Sequence, residues 1–286
     1  EKLLRKGEGW LGTHPLREEI AKRFLRFQSS LYRQALARLE AEGASDESEP
    51  DPESPRPGDR VEDAIEVPLN LHELRLSLVV EALRSPAVRR VIDLGCGEGK
   101  LLKLLLREKG LEQIVGMDVS LRALELAEKR LRLDRLSERQ RRRIQLIQGS
   151  LLYRDHRFEA FDAAALVEVV EHLDRPRLEA LERVVFEFAR PTRVVITTPN
   201  REYNVRWENV GPGRLRHPDH RFEWTRSEFH DWASAIGLAH RYSVQFQPIG
   251  PVDEDLGPPT QMAIFDRLEA ADVTTSLANP MVGDPS

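Results

Sequence analysis

Val91-Ile92-Asp93-Leu94-Gly95-Cys96-Gly97-Glu98-Gly99-Lys100-Leu101-Leu102 is the stretch that decides the fold. Its first four residues form a short apolar strand, and leucines recur after Gly99 as in a helix. The glycines between let the backbone turn sharply and approach a ligand with no Cβ in the way. A second strand, Gln113–Met117, leads into Asp118. That acid lies about 20 residues downstream of the loop, where doubly wound folds place a carboxylate that accepts hydrogen bonds from ribose hydroxyls. The stretch predicts a nucleotide-like ligand at the carboxyl edge of a parallel sheet.

The same alternation continues outward. Asn70 is expected to cap a helix through about Leu83, and Lys100–Glu108 reads as a leucine-rich helix closed by Gly110. Ser120 is expected to cap a helix to about Leu133, and Pro176 to start one running to about Ala189. Strands are predicted at 144–148, 161–167 and 193–197. Thr225-Arg226-Ser227-Glu228 is a capping box, opening a helix to about Ile236. Two late strands, near 240–247 and 260–266, have no helix between them and suggest an antiparallel hairpin at one edge. The expected class is α/β: a doubly wound, seven-stranded, mostly parallel sheet with helices on both faces.

Before this domain, residues 15–42 carry Ile20, Phe24, Phe27, Leu31, Ala35 and Leu39 at helical spacing. Residues 44–59 then mix Pro50, Pro52, Pro55 and Pro57 with Asp, Glu and Ser, a composition that cannot bury enough apolar surface to order itself. The expected organisation is a helical junction at 1–43, an acidic linker at 44–67, a catalytic domain at 68–267 with a functional loop at 199–224, and a tail at 268–286. The chain opens on Glu1 rather than Met and is expected to be a piece of a longer one.

Composition narrows the class further. With 43 Lys+Arg against 48 Asp+Glu, the net charge of −5 offers no global signal for nucleic acid. The single cysteine, Cys96, rules out an intrachain disulfide and points to a reducing compartment, with a cytoplasmic location expected. No apolar run approaches the roughly 20 residues of a membrane span, so no membrane partner is expected.

The loop spacing is G-x-G-x-G preceded by an acid, not the G-x-G-x-x-G of dinucleotide folds. It resembles the signature of class I methyltransferases, which implies S-adenosylmethionine as cofactor. On that resemblance Asp93, Gly95, Cys96, Gly97 and Asp118 are the expected cofactor contacts. Ser150 and Leu151, after the third strand, fall where such folds contact adenine.

Glu168, Glu171 and His172 stand at i, i+3 and i+4 after the fourth strand. On a helical turn all three would project from one face, with Val169, Val170 and Leu173 packing behind. Two carboxylates and an imidazole suit Mg²⁺ or Mn²⁺, the imidazole tilting toward Mn²⁺. A second polar cluster, His217-Pro218-Asp219-His220-Arg221-Phe222-Glu223-Trp224, lies in the long loop, and His217 and His220 are both candidate fourth ligands.

Together these residues resemble the small-RNA 3′-terminal 2′-O-methyltransferases, including bacterial members of the RNA-repair type. The resemblance rests on Asp93–Gly99, 148–151, 168–172, 198–204, 219–226 and 261–265. The E-x-x-E-H and D-H-x-F-E-W-T-R pair is its specific part. It implies Glu168, Glu171, His172 and His220 as metal ligands and catalytic residues, with His217 an RNA contact or base. It also implies an RNA 3′ end with a free 2′,3′-diol as substrate. Residues 1–42 resemble the junction preceding the methyltransferase half of bacterial members, implying a polynucleotide kinase-phosphatase as partner through an N-terminal half absent here.

The chemistry agrees with that set. A ribose hydroxyl is a poor nucleophile near neutral pH, and a divalent metal both acidifies and orients it. The adjacent 2′ and 3′ hydroxyls of a terminal ribose can chelate one ion, which DNA cannot do. Arg201, Arg206, Arg214, Arg216, Arg221 and Arg226 crowd the long loop as candidate phosphate contacts. Asn200, Arg201, Arg216, His217, Arg221 and Arg226 are the expected RNA-binding residues, and Tyr203 or Trp207 could stack a base. Arg139, Arg141, Arg142 and Arg143 form a second basic run. The competing expectation is a methyltransferase acting on a small molecule or a protein, which would leave the acid–histidine cluster and the arginine-rich loop idle.

Overall fold

A computed structural model describes residues 70–207, 210 and 213–268. The expected helix at 15–42, the linker and the tail beyond 268 lie outside these residues. The described part runs α1 (Leu71–Leu83), β1 (Arg90–Leu94), α2 (Lys100–Leu105), β2 (Gln113–Asp118), α3 (Leu121–Leu131), α4 (Glu138–Arg143) and β3 (Ile144–Gln148). It continues with β4 (Ala163–Val167), α5 (Arg175–Glu182), β5 (Arg193–Pro199), α6 (Arg226–His240), β6 (Tyr242–Ile249) and β7 (Thr260–Arg267). The sheet has seven strands in the order β3-β2-β1-β4-β5-β7-β6. The first five are mutually parallel, and β7 is antiparallel to both of its neighbours.

Each central strand feeds two cores because side chains alternate across a strand. Val91 joins one apolar cluster with Leu71, Val79, Leu101 and Leu102, while Ile92 and Leu94 join the opposite one with Leu181, Phe186 and Phe229. Helices therefore cover both faces, as the alternation predicted.

The late strands form the expected antiparallel pair, but the later one lies inside. In β7 residues 260–263 and 265 are buried, whereas β6 alternates between buried and exposed positions. The strand with two apolar faces takes the interior place, and the half-solvated one takes the edge.

Four local expectations change. Asn70 precedes α1 in a left-handed conformation (φ 47°) with no side-chain cap; its amide donates to Glu73 Oε2 instead. The helix after the glycine loop ends at Leu105, well short of Gly110. The second arginine run lies on a helix not foreseen, α4, opened by a Ser137/Gln140 capping box and burying none of its residues. Residues 201–206 of the long loop form a 3₁₀ turn, and Asn200 bridges to Trp224. No described helix is long and apolar enough to cross a membrane.

Candidate functional site

Every expected site residue lies at the carboxyl edge of the sheet or in the loop beside it. The cofactor half comes first. Gly95, Gly97 and Gly99 all adopt positive φ, from 51° to 83°, where a side chain is strained. A Cβ on Gly95 would lie 2.8 Å from Val169 Cγ2, whereas one on Gly97 would meet nothing within 4 Å. The loop is closed on the Val169 side and open at Gly97, the shape a ligand cradle needs. Asp118 braces it: one carboxylate oxygen accepts the Gly97 N–H at 2.9 Å and the other the Ser120 N–H at 2.7 Å. Asp93 is 2% exposed, and burial, reinforced by the Asp118 charge, pushes its carboxyl up to about 8. A cationic ligand at that acid would relieve the penalty, which suits the ammonium and sulfonium of S-adenosylmethionine. Ser150 and Leu151 are half-buried just after β3.

The E-x-x-E-H segment is not one helical face. Glu168 leaves β4 in a left-handed conformation (φ 53°), and only Val170–His172 forms a tight 3₁₀ turn. The two carboxylates are consequently held separately. Glu168 Oε1 accepts the Thr197 hydroxyl at 2.8 Å, and its Oε2 lies 3.2 Å from the Arg75 guanidinium. Glu171 is fully buried and accepts the Thr198 hydroxyl at 3.2 Å. Consecutive threonines at the end of β5 thus position two acids at the end of β4.

Three imidazoles converge here. His172, His217 and His220 each offer a ring nitrogen within 4.8 Å of the other two. The expected set of Glu168, Glu171, His172 and His220 is thus only partly assembled: the two histidines meet, His217 joins them, and the carboxylates stand outside the group. The reason is competition, since both acids bond to β5 threonines and Glu168 also pairs with Arg75. Burial and the neighbouring His220 and His217 push His172 down to about 4, so it is neutral near pH 7, the form that ligates. His220 Nδ1 donates to Glu223 Oε1 at 2.6 Å, and its Nε2 is buried with no hydrogen-bond partner. A lone pair oriented by a carboxylate behind the ring is the arrangement metal-binding histidines require. Imidazoles with nearby carboxylates suit a transition ion such as Mn²⁺ better than Mg²⁺.

Glu223 is the keystone of the loop. Burial pushes its carboxyl upward, but bonds from His220, Asn204 and Arg216 outweigh that and hold it below the usual range. Its partners include the Arg216 N–H at 2.6 Å and the Asn204 side chain. The Arg221 N–H also donates to the Glu171 carbonyl at 2.7 Å, tying this loop to the acid–histidine turn.

Several expected RNA contacts are structural instead. Arg216 is 2% exposed and donates to the Pro259 carbonyl at 2.8 Å and to Asn204. Asn200 is fully buried and bonds the Leu256 and Pro258 carbonyls, each at 2.8 Å. Both side chains serve the fold and cannot reach a phosphate. Arg226 is paired with Glu202, Arg206 with Asp253, and Arg201 more loosely with Glu228. Arg214 and Arg221 are exposed, and Arg221 adjoins the histidine cluster in sequence. Tyr203 and Trp207 are buried against each other, ring centroids 5.6 Å apart, so neither is a base platform.

Sequence reading missed Arg75, Thr197, Thr198 and Glu223. Arg75 had a signal: it stands between Leu71 and Val79 on the buried stripe of α1, where a charge needs a reason. It also donates to Thr260 Oγ1 at 3.2 Å.

Comparison with known proteins agrees with this geometry. A family profile described as a methyltransferase domain matches residues 24–242, and one for the "RNA repair, ligase-Pnkp-associating, region of Hen1" matches residues 1–40. The small RNA 2′-O-methyltransferase of Rattus norvegicus is 36% identical over 203 residues, covering 68% of this chain and 50% of that protein. This chain therefore spans about half the length of such relatives. The crystal structure of the methyltransferase domain of a bacterial Hen1 is 54% identical with a TM-score of 0.65, covering 70% of this chain and 100% of that one. The small RNA methyltransferase HEN1 structure is 32% identical with a TM-score of 0.63, covering 69% of this chain and 26% of that one. With its S-adenosylmethionine-dependent methyltransferase fold and full coverage of the bacterial Hen1 domain, the chain belongs to the Hen1 family of methyltransferases.

Proposed function

We propose that this protein transfers a methyl group from S-adenosylmethionine to the 2′-hydroxyl of the 3′-terminal ribose of RNA, in a reaction that needs a divalent metal. The observation that carries the proposal is the buried cluster of His172, His217 and His220 beside the glycine loop, at the edge where such folds bind ligands. A methyltransferase for a small molecule or protein has no use for it. Relatives named as small RNA 2′-O-methyltransferases support the same acceptor.

Asp93 and the loop from Gly95 to Gly97 hold the cationic end of the cofactor, and Asp118 accepts from its ribose. Ser150 and Leu151 border the adenine. His172 and His220, with Glu168 and Glu171, are the residues that would hold Mn²⁺ or Mg²⁺. The ion would acidify and orient a ribose hydroxyl. Thr197, Thr198 and Glu223 orient those side chains, so the acceptor meets a fixed constellation and the reaction becomes one of alignment. Burial of the cluster excludes water as a competing nucleophile. Arg221 and Arg214 are placed to meet the terminal phosphates.

Residues 1–40, which match the Hen1 region associated with RNA repair, support a role on broken RNA ends in company with a polynucleotide kinase-phosphatase. The decisive experiment incubates the chain with labelled cofactor and RNA ending in a 2′,3′-diol, with and without Mn²⁺. Label should enter RNA only with metal, and the product should resist periodate, which cleaves a free vicinal diol. Methyl transfer that is indifferent to chelation, or a product still cleaved by periodate, would refute the assignment.

A further inference from the structure

Two histidines of the cluster offer different ring nitrogens. His220 Nδ1 lies 2.6 Å from Glu223 Oε1, an atom of a carboxylate that is held ionised and can only accept. The proton is therefore on Nδ1, and the lone pair is on Nε2. His217 has the opposite arrangement. Its Nδ1 accepts the backbone N–H of Asp219 at 3.0 Å. In a neutral imidazole the proton must then be on Nε2. Binding a cation through Nε2 would drive that proton to Nδ1, setting donor against donor across the Asp219 contact. Binding through Nδ1 would displace the Asp219 bond. The ring is held in place by the loop: the His220 N–H donates to the His217 carbonyl at 3.2 Å, and Pro218 stiffens the link between. His217 is 4% exposed, so its Nε2–H serves something inside the site.

Resting on the RNA 2′-O-methyltransferase reading, we infer that His217 is a substrate-recognition residue and not a ligand: its Nε2–H donates a hydrogen bond to the 3′-oxygen of the terminal ribose. Three considerations select that atom. The attacking 2′-oxygen is a poor target, because a donor on the nucleophile ties up the electron pair that must form the new C–O bond. A phosphate is a poor target, because it would have to be buried beside Glu168 and Glu171. The 3′-oxygen takes no part in bond making, sits next to the nucleophile on the ribose, and has lone pairs left when it coordinates a cation. A hydrogen bond there fixes the ribose and also reads whether the end carries a 3′-oxygen. Site groups built to hydrogen-bond a hydroxyl discriminate strongly against analogues that lack it, since the donor is then left buried and unmade.

The test uses the 286-residue chain as wild type, His217→Ala, His217→Gln and His220→Ala. Mn²⁺ affinity is read by electron paramagnetic resonance. RNA affinity is read with Mn²⁺ and S-adenosylhomocysteine present, using two RNAs of one sequence that end in a 2′,3′-diol or a 3′-deoxyribose. His217→Ala should keep Mn²⁺ affinity within about twofold, whereas His220→Ala should lose tenfold or more. Wild type should prefer the diol end, and His217→Ala should shrink that preference by about tenfold. His217→Gln, whose amide can accept from Asp219 and still donate, should recover part of it. A loss of Mn²⁺ affinity in His217→Ala matching that of His220→Ala would make His217 a ligand and overturn the inference. So would an undiminished preference for the diol. Absence of any Mn²⁺-dependent RNA binding by wild type is a different result, which would refute the proposed function itself.

Discussion

The two halves of the site are built on different principles. At the ends of β1 and β2 the cofactor cradle is mostly backbone: three glycines at positive φ, with a single acid bracing the loop through main-chain N–H groups. At the ends of β4 and β5 the acceptor half is almost entirely side chain, assembled from α1, the β4 turn, the last residues of β5 and the loop at 216–223. A backbone site is written in consecutive residues and tolerates change at the side chains between them. A side-chain site depends on each buried polar group keeping its partner, because an unmade bond there costs the desolvation of the group left behind. The acceptor half should therefore be the more fragile, and its failures should leave the cofactor half intact.

The largest separation is expected for His220→Ala. Methyl transfer should fall by a factor of about a thousand or more, on the scale of losing a group essential to transition-state geometry. S-adenosylhomocysteine affinity, measured by calorimetry, should stay within about twofold. A parallel loss of cofactor affinity would show that the halves are one network and dissolve the contrast. Next comes Glu223→Gln. Removing the carboxylate behind a ligating histidine costs roughly 10- to 100-fold in metal affinity. The amide would also set a donor against the Asn204 side chain, whose own oxygen already accepts from Arg216. Mn²⁺ titration monitored by electron paramagnetic resonance checks this, and unchanged affinity would leave Glu223 with only a folding role.

The same contrast explains what sequence could reveal. Strand, loop, helix and acid lie within 91–118, and their order alone specifies the cradle and most of the sheet. The capping box at Thr225 is likewise local, and it forms as expected. The interior place of β7 is not local: it depends on which late strand is apolar on both faces, a weak signal within eight residues. In the acceptor half, residue type predicted the chemistry better than the roles. Arg216 and Asn200 look like phosphate and base contacts in a list of polar residues, yet burial makes them struts. Arg75 stands 93 residues before Glu168, and no pattern in the chain announces that pair. The helical-face reading of Glu168, Glu171 and His172 failed because Glu168 adopts a left-handed backbone, a conformation sequence rarely betrays in a glutamate.

A smaller effect tests the cradle. Asp118→Ala should weaken S-adenosylhomocysteine binding by about 1–3 kcal/mol, the scale of losing a charged acceptor. Because Asp118 also braces Gly97 and Ser120, part of that loss should come from a loosened loop. Asp118→Asn keeps one acceptor oxygen and should lose less. Calorimetry giving wild-type affinity for both variants would remove Asp118 from the site.

The smallest effect concerns stability and comes from Asp93. Its carboxyl is pushed up to about 8 in the folded chain by burial, with the Asp118 charge adding to it. An unfolded aspartate titrates near 4. Below about pH 4 both states hold the proton and the group is neutral in each. Between about pH 4 and 8 the folded state keeps the proton that the unfolded state releases. More protons are bound in the folded state, so stability falls as pH rises through that window. Asp93→Asn lacks this titration. Its stability relative to wild type should therefore rise between pH 5 and pH 8, by about 1–2 kcal/mol once relaxation of the loop is allowed for. Urea unfolding at the two pH values measures it, and parallel profiles would mean that Asp93 ionises in the folded protein much as it does in water. Saturating S-adenosylhomocysteine should flatten the wild-type profile, since its ammonium group favours the charged carboxylate. It should do little for Asp93→Asn, which ought to bind it weakly. In this cradle the charge that costs stability without ligand is the charge that holds the ligand, so one substitution should raise the stability of the free protein at pH 8 and lower its cofactor affinity.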